Sequence, residues 1–191
     1  FASANYPQSP VRVMNARPLY QSIALFGLHA AVCLLVAFRQ LPVGTVISWF
    51  MGGLLLFTLV EYVSHRYFFH LKPSSHFRAK IQFAVHGNHH AHPRQITQIM
   101  MKPVIALVVI VLTSVVCYGL FGLGMLAFLP GFLVGYSAYL LLHFAVHAYR
   151  PPKNFLRHLW VNHHLHHHRN DRTNFGVSSP LWDIIFQTRH P

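Results

Sequence analysis

Long uncharged apolar runs, not an alternation of apolar and polar residues, dominate this chain and predict helices of membrane length. One run extends from Leu19 to Phe38 and a second from Val43 to Val60, with Arg39-Gln40-Leu41-Pro42 between them. Residues 103–149 then carry no Lys, Arg, Asp or Glu. A bilayer-crossing helix needs about 20 predominantly apolar residues, so this stretch is long enough for two. Gly119, Gly122 and Gly124 mark a tight turn between them. The predicted spans are therefore about 19–38, 43–62, 104–121 and 125–147. Polar segments follow at about 63–103 and 148–191, and a polar, Pro-containing tail over 1–18 precedes the first span. The expected class is all-α: one membrane domain over 19–191, with four spanning helices and a helical cap built from the two polar segments.

Composition supports a membrane protein over a soluble one. Hydrophobic residues make up 53% of the chain and charged residues 9%, against about 25% charged in soluble domains. The formal charge of +12 would suit nucleic acid, but its placement argues otherwise. Every Lys and Arg except Arg39 lies before the first span, between the second and third, or after the fourth. That is the positive-inside asymmetry, and it puts both termini and the polar segments on the cytoplasmic side. No nucleic-acid partner is expected. Cys33 and Cys117 fall within spans and read as small packing residues.

Histidine changes the picture most. Of the 17 histidines, ten fall into four short clusters: His65/His70, His86/His89/His90, His143/His147 and His164/His167/His168. Residues three and four apart share a helix face, so each triplet could present three imidazoles on one turn. The two halves of the chain repeat the order: pair at the end of a span, then triplet. His65/His70, five apart, fits a continuous α-helix poorly and suggests a bend before Pro73. Imidazole is the commonest metal ligand near neutral pH, and ten exceed what one ion can use. Two metals sharing a nitrogen-rich site are predicted, with zinc, copper, iron and nickel all compatible with neutral imidazole. His29, His76, His92, His158 and His190 read as packing or surface residues. Ionisable groups at a membrane boundary are expensive and usually functional.

The acids number only three, Glu61, Asp171 and Asp183. Carboxylates commonly orient ligating histidines, which makes Glu61, one turn before His65, and Asp183, beside Trp182, the candidates. Asp171 reads as a solvated partner of Arg169 or Arg172.

The motifs resemble the membrane fatty acid hydroxylase and sterol desaturase superfamily, nearest to its fatty acid 2-hydroxylase branch. The resemblance rests on Glu61-Tyr62-Val63-Ser64-His65-Arg66-Tyr67-Phe68-Phe69-His70 with Lys72-Pro73, on His86-Gly87-Asn88-His89-His90, on His143-Phe144-Ala145-Val146-His147 and on His164-Leu165-His166-His167-His168. The tail from Asn174 to Thr188, with Trp182-Asp183, is similar to the family's closing segment. It implies a cytosolic centre of two iron ions, with zinc possible in purified material, held by the ten histidines above. It further implies O2-dependent hydroxylation of a C–H bond on a lipid acyl chain. In the last box Leu165 and Arg169 fall in the family register for His164/His167/His168; a phasing through His163/His166/His167 stays open. Phe68, Phe69, Phe144 and Tyr149 are candidate liners of a lipid channel, or ordinary packing residues. Many relatives carry a fused haem domain with a His-Pro-Gly-Gly motif, whereas here His92-Pro93 leads into Arg94-Gln95. A separate electron donor of cytochrome b5 or ferredoxin type is therefore expected. Carotenoid-ring or sterol-type oxidation, and a non-catalytic metal-binding subunit, are the competing readings.

Overall fold

A computed structural model describes residues 16–70, 73–93 and 95–190. Most of the predicted polar tail, residues 1–15, lies outside the described residues. Among the described residues all regular structure is helical. The long helices are α1 (Arg17–Gln40), α2 (Val43–Val63), α5 (Pro103–Phe121) and α6 (Met125–Ala148). Shorter ones are α3 (His76–Gln82), α4 (Asn88–Ala91), α7 (Arg157–His168) and α8 (Leu181–Ile185). The apolar runs thus become helices within a few residues of their expected limits. Pro18 and Pro103 sit in the first turns of α1 and α5, where a missing N–H costs nothing.

Three helical stretches are long and apolar enough to cross a membrane: Arg17–Gln40, Val43–Phe69 and Ile96–Ala148. The third opens on a short 3₁₀ turn, Ile96–Gln98, and then holds α5 and α6, which a second 3₁₀ turn at Gly122–Gly124 separates. Gly122 there adopts φ +53°, ψ −127°, a conformation essentially confined to glycine. The helices α1 and α5 expose rows of large apolar side chains, such as Leu28, Val32 and Leu35, and Val108, Val111 and Val115.

The described residues pack into two units. The first comprises residues 16–61 and 100–141, which hold α1, α5 and most of α2 and α6. Within it α2 and α6 approach at their backbones: a Cβ on Gly53 would meet the Phe128 carbonyl oxygen at 2.0 Å, and one on Gly131 the Phe50 carbonyl oxygen at 1.9 Å. Small residues permit such approach where lipid supplies no hydrophobic drive between helices. Phe57 stacks on Tyr136 beside this contact, ring centroids 5.3 Å apart. Polar atoms tie α1 to the α5 side: Ser22 Oγ donates to the Met101 carbonyl (2.9 Å), and His29 Nε2 pairs with Ser114 Oγ (3.2 Å). His29 is thus hydrogen-bonded packing, and Cys33 and Cys117 are free and buried. The second unit comprises residues 62–99 and 142–190 and contains all ten clustered ligand candidates.

Candidate dimetal centre

The awkward five-residue spacing of His65 and His70 is resolved by local backbone. Past Val63 the helix widens into a π-helical turn, Ser64–Phe69. Its hydrogen bonds run from i to i+5, and such turns concentrate at functional sites. Residues five apart then return to one side, and the two imidazoles lie with centroids 5.0 Å apart. A second π-helical turn, Phe83–Gly87, precedes α4 and carries His86. His143 and His147 occupy one face of α6, centroids 5.2 Å apart.

The histidines converge into two groups of five. His65, His70, His86, His90 and His166 form one; His89, His143, His147, His163 and His167 form the other. Within each, one nitrogen per residue lies within 4.8 Å of all the others. The triplets do not act as units. Each set combines one pair, the i, i+4 couple of the triplet that follows it, and the i+3 histidine of the other triplet. His89 crosses to the second set and His166 to the first. The order pair, triplet, pair, triplet therefore closes into two interlocked sites.

One expected assignment is corrected. His164 and His168 belong to neither group; their rings face each other, centroids 4.3 Å apart, with His164 half-buried and His168 exposed. His163 and His166 instead are 1% and 0% exposed. Both phasings have the same i, i+3, i+4 spacing, so spacing could not decide between them. Burial of the face of α7 that carries Leu159, Trp160 and His163 does. His65, His70, His86, His89, His90, His143, His147 and His167 each fall in one of the two groups.

Tautomers follow from hydrogen bonds. His65 Nδ1–H donates to the Phe175 carbonyl (2.5 Å) and His166 Nδ1–H to the Thr173 carbonyl (2.7 Å). A carbonyl oxygen only accepts, so in each neutral ring the Nε2 lone pair is the inward-facing atom. Those lone pairs meet other Nε2 atoms at 3.1 Å for His65–His86 and 3.0 Å for His166–His70. In the second set His147–His163 and His167–His163 meet at 2.8 and 3.0 Å. His90 Nε2 is buried with no hydrogen-bond partner. Burial, reinforced by neighbouring imidazoles, holds the pKa of His89 and His90 down at about 4. His70 and His166 are also lowered to about 4, again chiefly by burial. His86, His163 and His167 are driven far below the ordinary range by burial and then by the imidazoles beside them. Near neutral pH these side chains are therefore uncharged donors, the form a metal requires. Converging neutral nitrogens with a buried orphan atom fit a pair of transition-metal ions.

Of the two acids expected behind the ligands, Asp183 is 1% exposed and grips backbone, not an imidazole. Its carboxylate accepts from Phe175 N (2.9 Å), Gly176 N (2.8 Å) and Thr188 Oγ1 (2.7 Å). Burial still pushes its pKa up, against the downward pull of those donors. Glu61 is buried and interacts electrostatically with Tyr139. Asp171, exposed, lies 3.8 Å from His70 Nδ1. The carbonyls of Thr173 and Phe175 escaped sequence reasoning because any residue supplies a carbonyl; the Trp-Asp tail was the one available signal. Of the candidate liners, Phe69 stacks on His86 (4.9 Å) and Phe144 is buried, while Phe68 and Tyr149 are exposed.

Residues 50–188 match the family model described as fatty acid hydroxylase. The chain is 34% identical over 154 residues to fatty acid 2-hydroxylase of Rattus norvegicus, covering 78% of this chain and 41% of that protein. It is 32% identical over 164 residues to the ceramide very long chain fatty acid hydroxylase scs7 of Schizosaccharomyces pombe, covering 82% and 46%. A solved structure of full-length scs7p, in which only the hydroxylase domain is visible, superposes with a TM-score of 0.77 at 28% identity, covering 88% of this chain and 64% of that one. The chain thus spans less than half the length of these two relatives.

Proposed function

The chain belongs to the fatty acid hydroxylase family, and on that premise we propose that it is a membrane-bound, O2-dependent hydroxylase of a fatty acyl chain, acting at carbon 2. The carrying observation is the pair of interlocked five-imidazole sets. In this reading His65, His70, His86, His90 and His166 hold one iron ion, and His89, His143, His147, His163 and His167 hold the other. An iron pair bound there would supply O2 activation and C–H cleavage, with an electron pair drawn from a cytochrome b5- or ferredoxin-like donor.

The chain's own residues do the rest. Ten neutral donors add no negative charge to the ions, which favours an electrophilic centre. Because His89 and His166 each cross to the other set, neither site can shift without moving the helices that build its neighbour. Phe69, stacked on His86, shields that ligand from water. The long apolar helices anchor the protein in the membrane that holds its substrate. The positive-inside distribution supports a cytoplasmic side for both termini and the histidine sets. The relatives' names support attack at carbon 2 of a free or ceramide-bound acyl chain.

Comparative lipidomics of cells expressing the wild type or His89→Ala tests the reading. An acyl product one oxygen heavier, hydroxylated at carbon 2 and lost in the variant, is expected. A product short of two hydrogens would instead make the protein a desaturase, and unchanged acyl lipids with altered pigments would redirect it to ring hydroxylation.

A further inference from the structure

The two histidine sets match in donor count and differ in what stands behind them. In the first set, His65 and His166 each donate Nδ1–H to a main-chain carbonyl, those of Phe175 and Thr173. His70 Nδ1 faces Asp171 at 3.8 Å. In the second set, the Nδ1 atoms of His89, His163 and His167 are buried and have no hydrogen-bond partner in the protein. A backed imidazole is fixed in tautomer and orientation and is a better base, and losing such backing typically lowers metal affinity about 10–100-fold.

The carbonyls that back the first set are themselves pinned. Asp183 holds the amides of Phe175 and Gly176 through its two oxygens and takes a third bond from Thr188 Oγ1. Asn174 N donates to the Thr188 carbonyl at 2.9 Å, and the left-handed φ of Asn174, +56°, turns the strand of chain so that Thr173 and Phe175 both present carbonyls to imidazoles. Thr188 Oγ1 also bonds Tyr62 OH (2.9 Å), which accepts from Arg66 (2.8 Å). Tyr62 and Arg66 flank His65. The closing segment is therefore tied at both ends to the stretch that carries the first pair.

We propose that this closing segment is a latch for the first set alone, so that the two metals are inequivalent. The His65/His70/His86/His90/His166 site holds its ion more firmly, the other site exchanges first, and Asp183 is the positioning residue that sets the difference. The inference rests on the two-metal reading above.

The test is a chelator titration of the purified full chain in detergent, loaded with zinc and followed by metal analysis. Wild type should bind two equivalents and release them in two phases, the second at about 10–100-fold higher chelator. His163→Ala should abolish the labile phase and His65→Ala the tight one, which assigns them. Asp183→Asn replaces an acceptor by a donor facing Gly176 N; it should move only the tight phase, toward the labile one. Thr188→Val, a milder change that keeps the carboxylate, should move the same phase by less. Cobalt substitution gives an independent readout: Asp183→Asn should alter the absorption of one ion and leave the other's unchanged. Two equivalents released in a single wild-type phase would overturn the inequivalence. Equal weakening of both phases by Asp183→Asn and Thr188→Val would reduce the latch to general folding support and overturn it. Saturation below two equivalents would overturn the two-metal reading itself, and the inference with it.

Discussion

The apolar unit and the histidine unit are held together by opposite means. In the first, backbones meet at Gly53 and Gly131, aromatic rings fill the neighbouring space, and polar contacts such as His29–Ser114 are few. In the second, polar atoms crowd the interior: five nitrogens within 4.8 Å of one another, twice over. Shape alone can hold the first, because its neighbours need no charge to attract. The second is a cluster of lone pairs that repel unless a cation or a shared proton lies between them. One unit should therefore be indifferent to metal and acidity, and the other dependent on both.

The largest expected contrast comes from removing ligands. His86→Ala and His163→Ala should each abolish hydroxylation, by at least about 100-fold on the scale of losing a metal-supporting residue, and lower metal content. Their far-ultraviolet circular dichroism should keep the signature of the long helices. A variant that retained full metal content would detach that histidine from its set.

Acid should separate the units next. His70, His89, His90 and His166 have pKa values lowered to about 4 in the folded chain, against about 6.5 when unfolded. Above 6.5 both states are neutral and nothing is gained or lost. As pH falls below 6.5 the unfolded chain binds protons first, so stability declines progressively to about pH 4. Metal-free protein should thus lose protease resistance over residues 62–99 and 142–190 across that window, while the long helices persist. Protection that stayed level from pH 7 to 4 would contradict the buried, neutral histidines.

In the apolar unit, Gly131→Ala forces a methyl against the Phe50 carbonyl. Overpacking of this kind costs about 1–3 kcal/mol, read as a lower melting temperature with metal stoichiometry unchanged. His29→Ala should cost less, about 0.6 kcal/mol, the average for a polar contact between membrane helices. The smallest effect is expected from His164→Ala with His168→Ala, within about 0.5 kcal/mol in stability and without loss of bound metal. Loss of one equivalent in that double variant would restore the phasing that the fold rejects.

Much of the architecture was legible. The long helices follow from uncharged runs, because a chain segment with nothing to hydrogen-bond but itself must be helical in lipid. The clustering of the histidines was legible, though not the phase of the last cluster, because chemistry restricts metal-ligating residues to few types, and these were dense where acids were scarce. The π-helical turn at 64–69 was legible only as a misfit: the five-residue spacing of His65 and His70 signalled a departure from α-helix and suggested a bend, but residue types did not specify a widened turn. Asp183 stood out by residue type alone; its target, the amides of Phe175 and Gly176 in place of an imidazole, depends on a backbone turn that residue types do not specify.

By itself the sequence determined the helical class, the membrane-length segments and the histidine-rich chemistry, since these depend on composition and short-range spacing. Tertiary structure alone decided which imidazoles meet. His163 through His168 offers the same i, i+3, i+4 pattern in two phases, and rotation of α7 by one residue changes neither. Only the buried face of that helix, with His163 and His166 turned inward and His168 outward, selects between them. The crossing of His89 and His166 between sets is likewise invisible along the chain, because it joins residues brought together by folding and not by spacing.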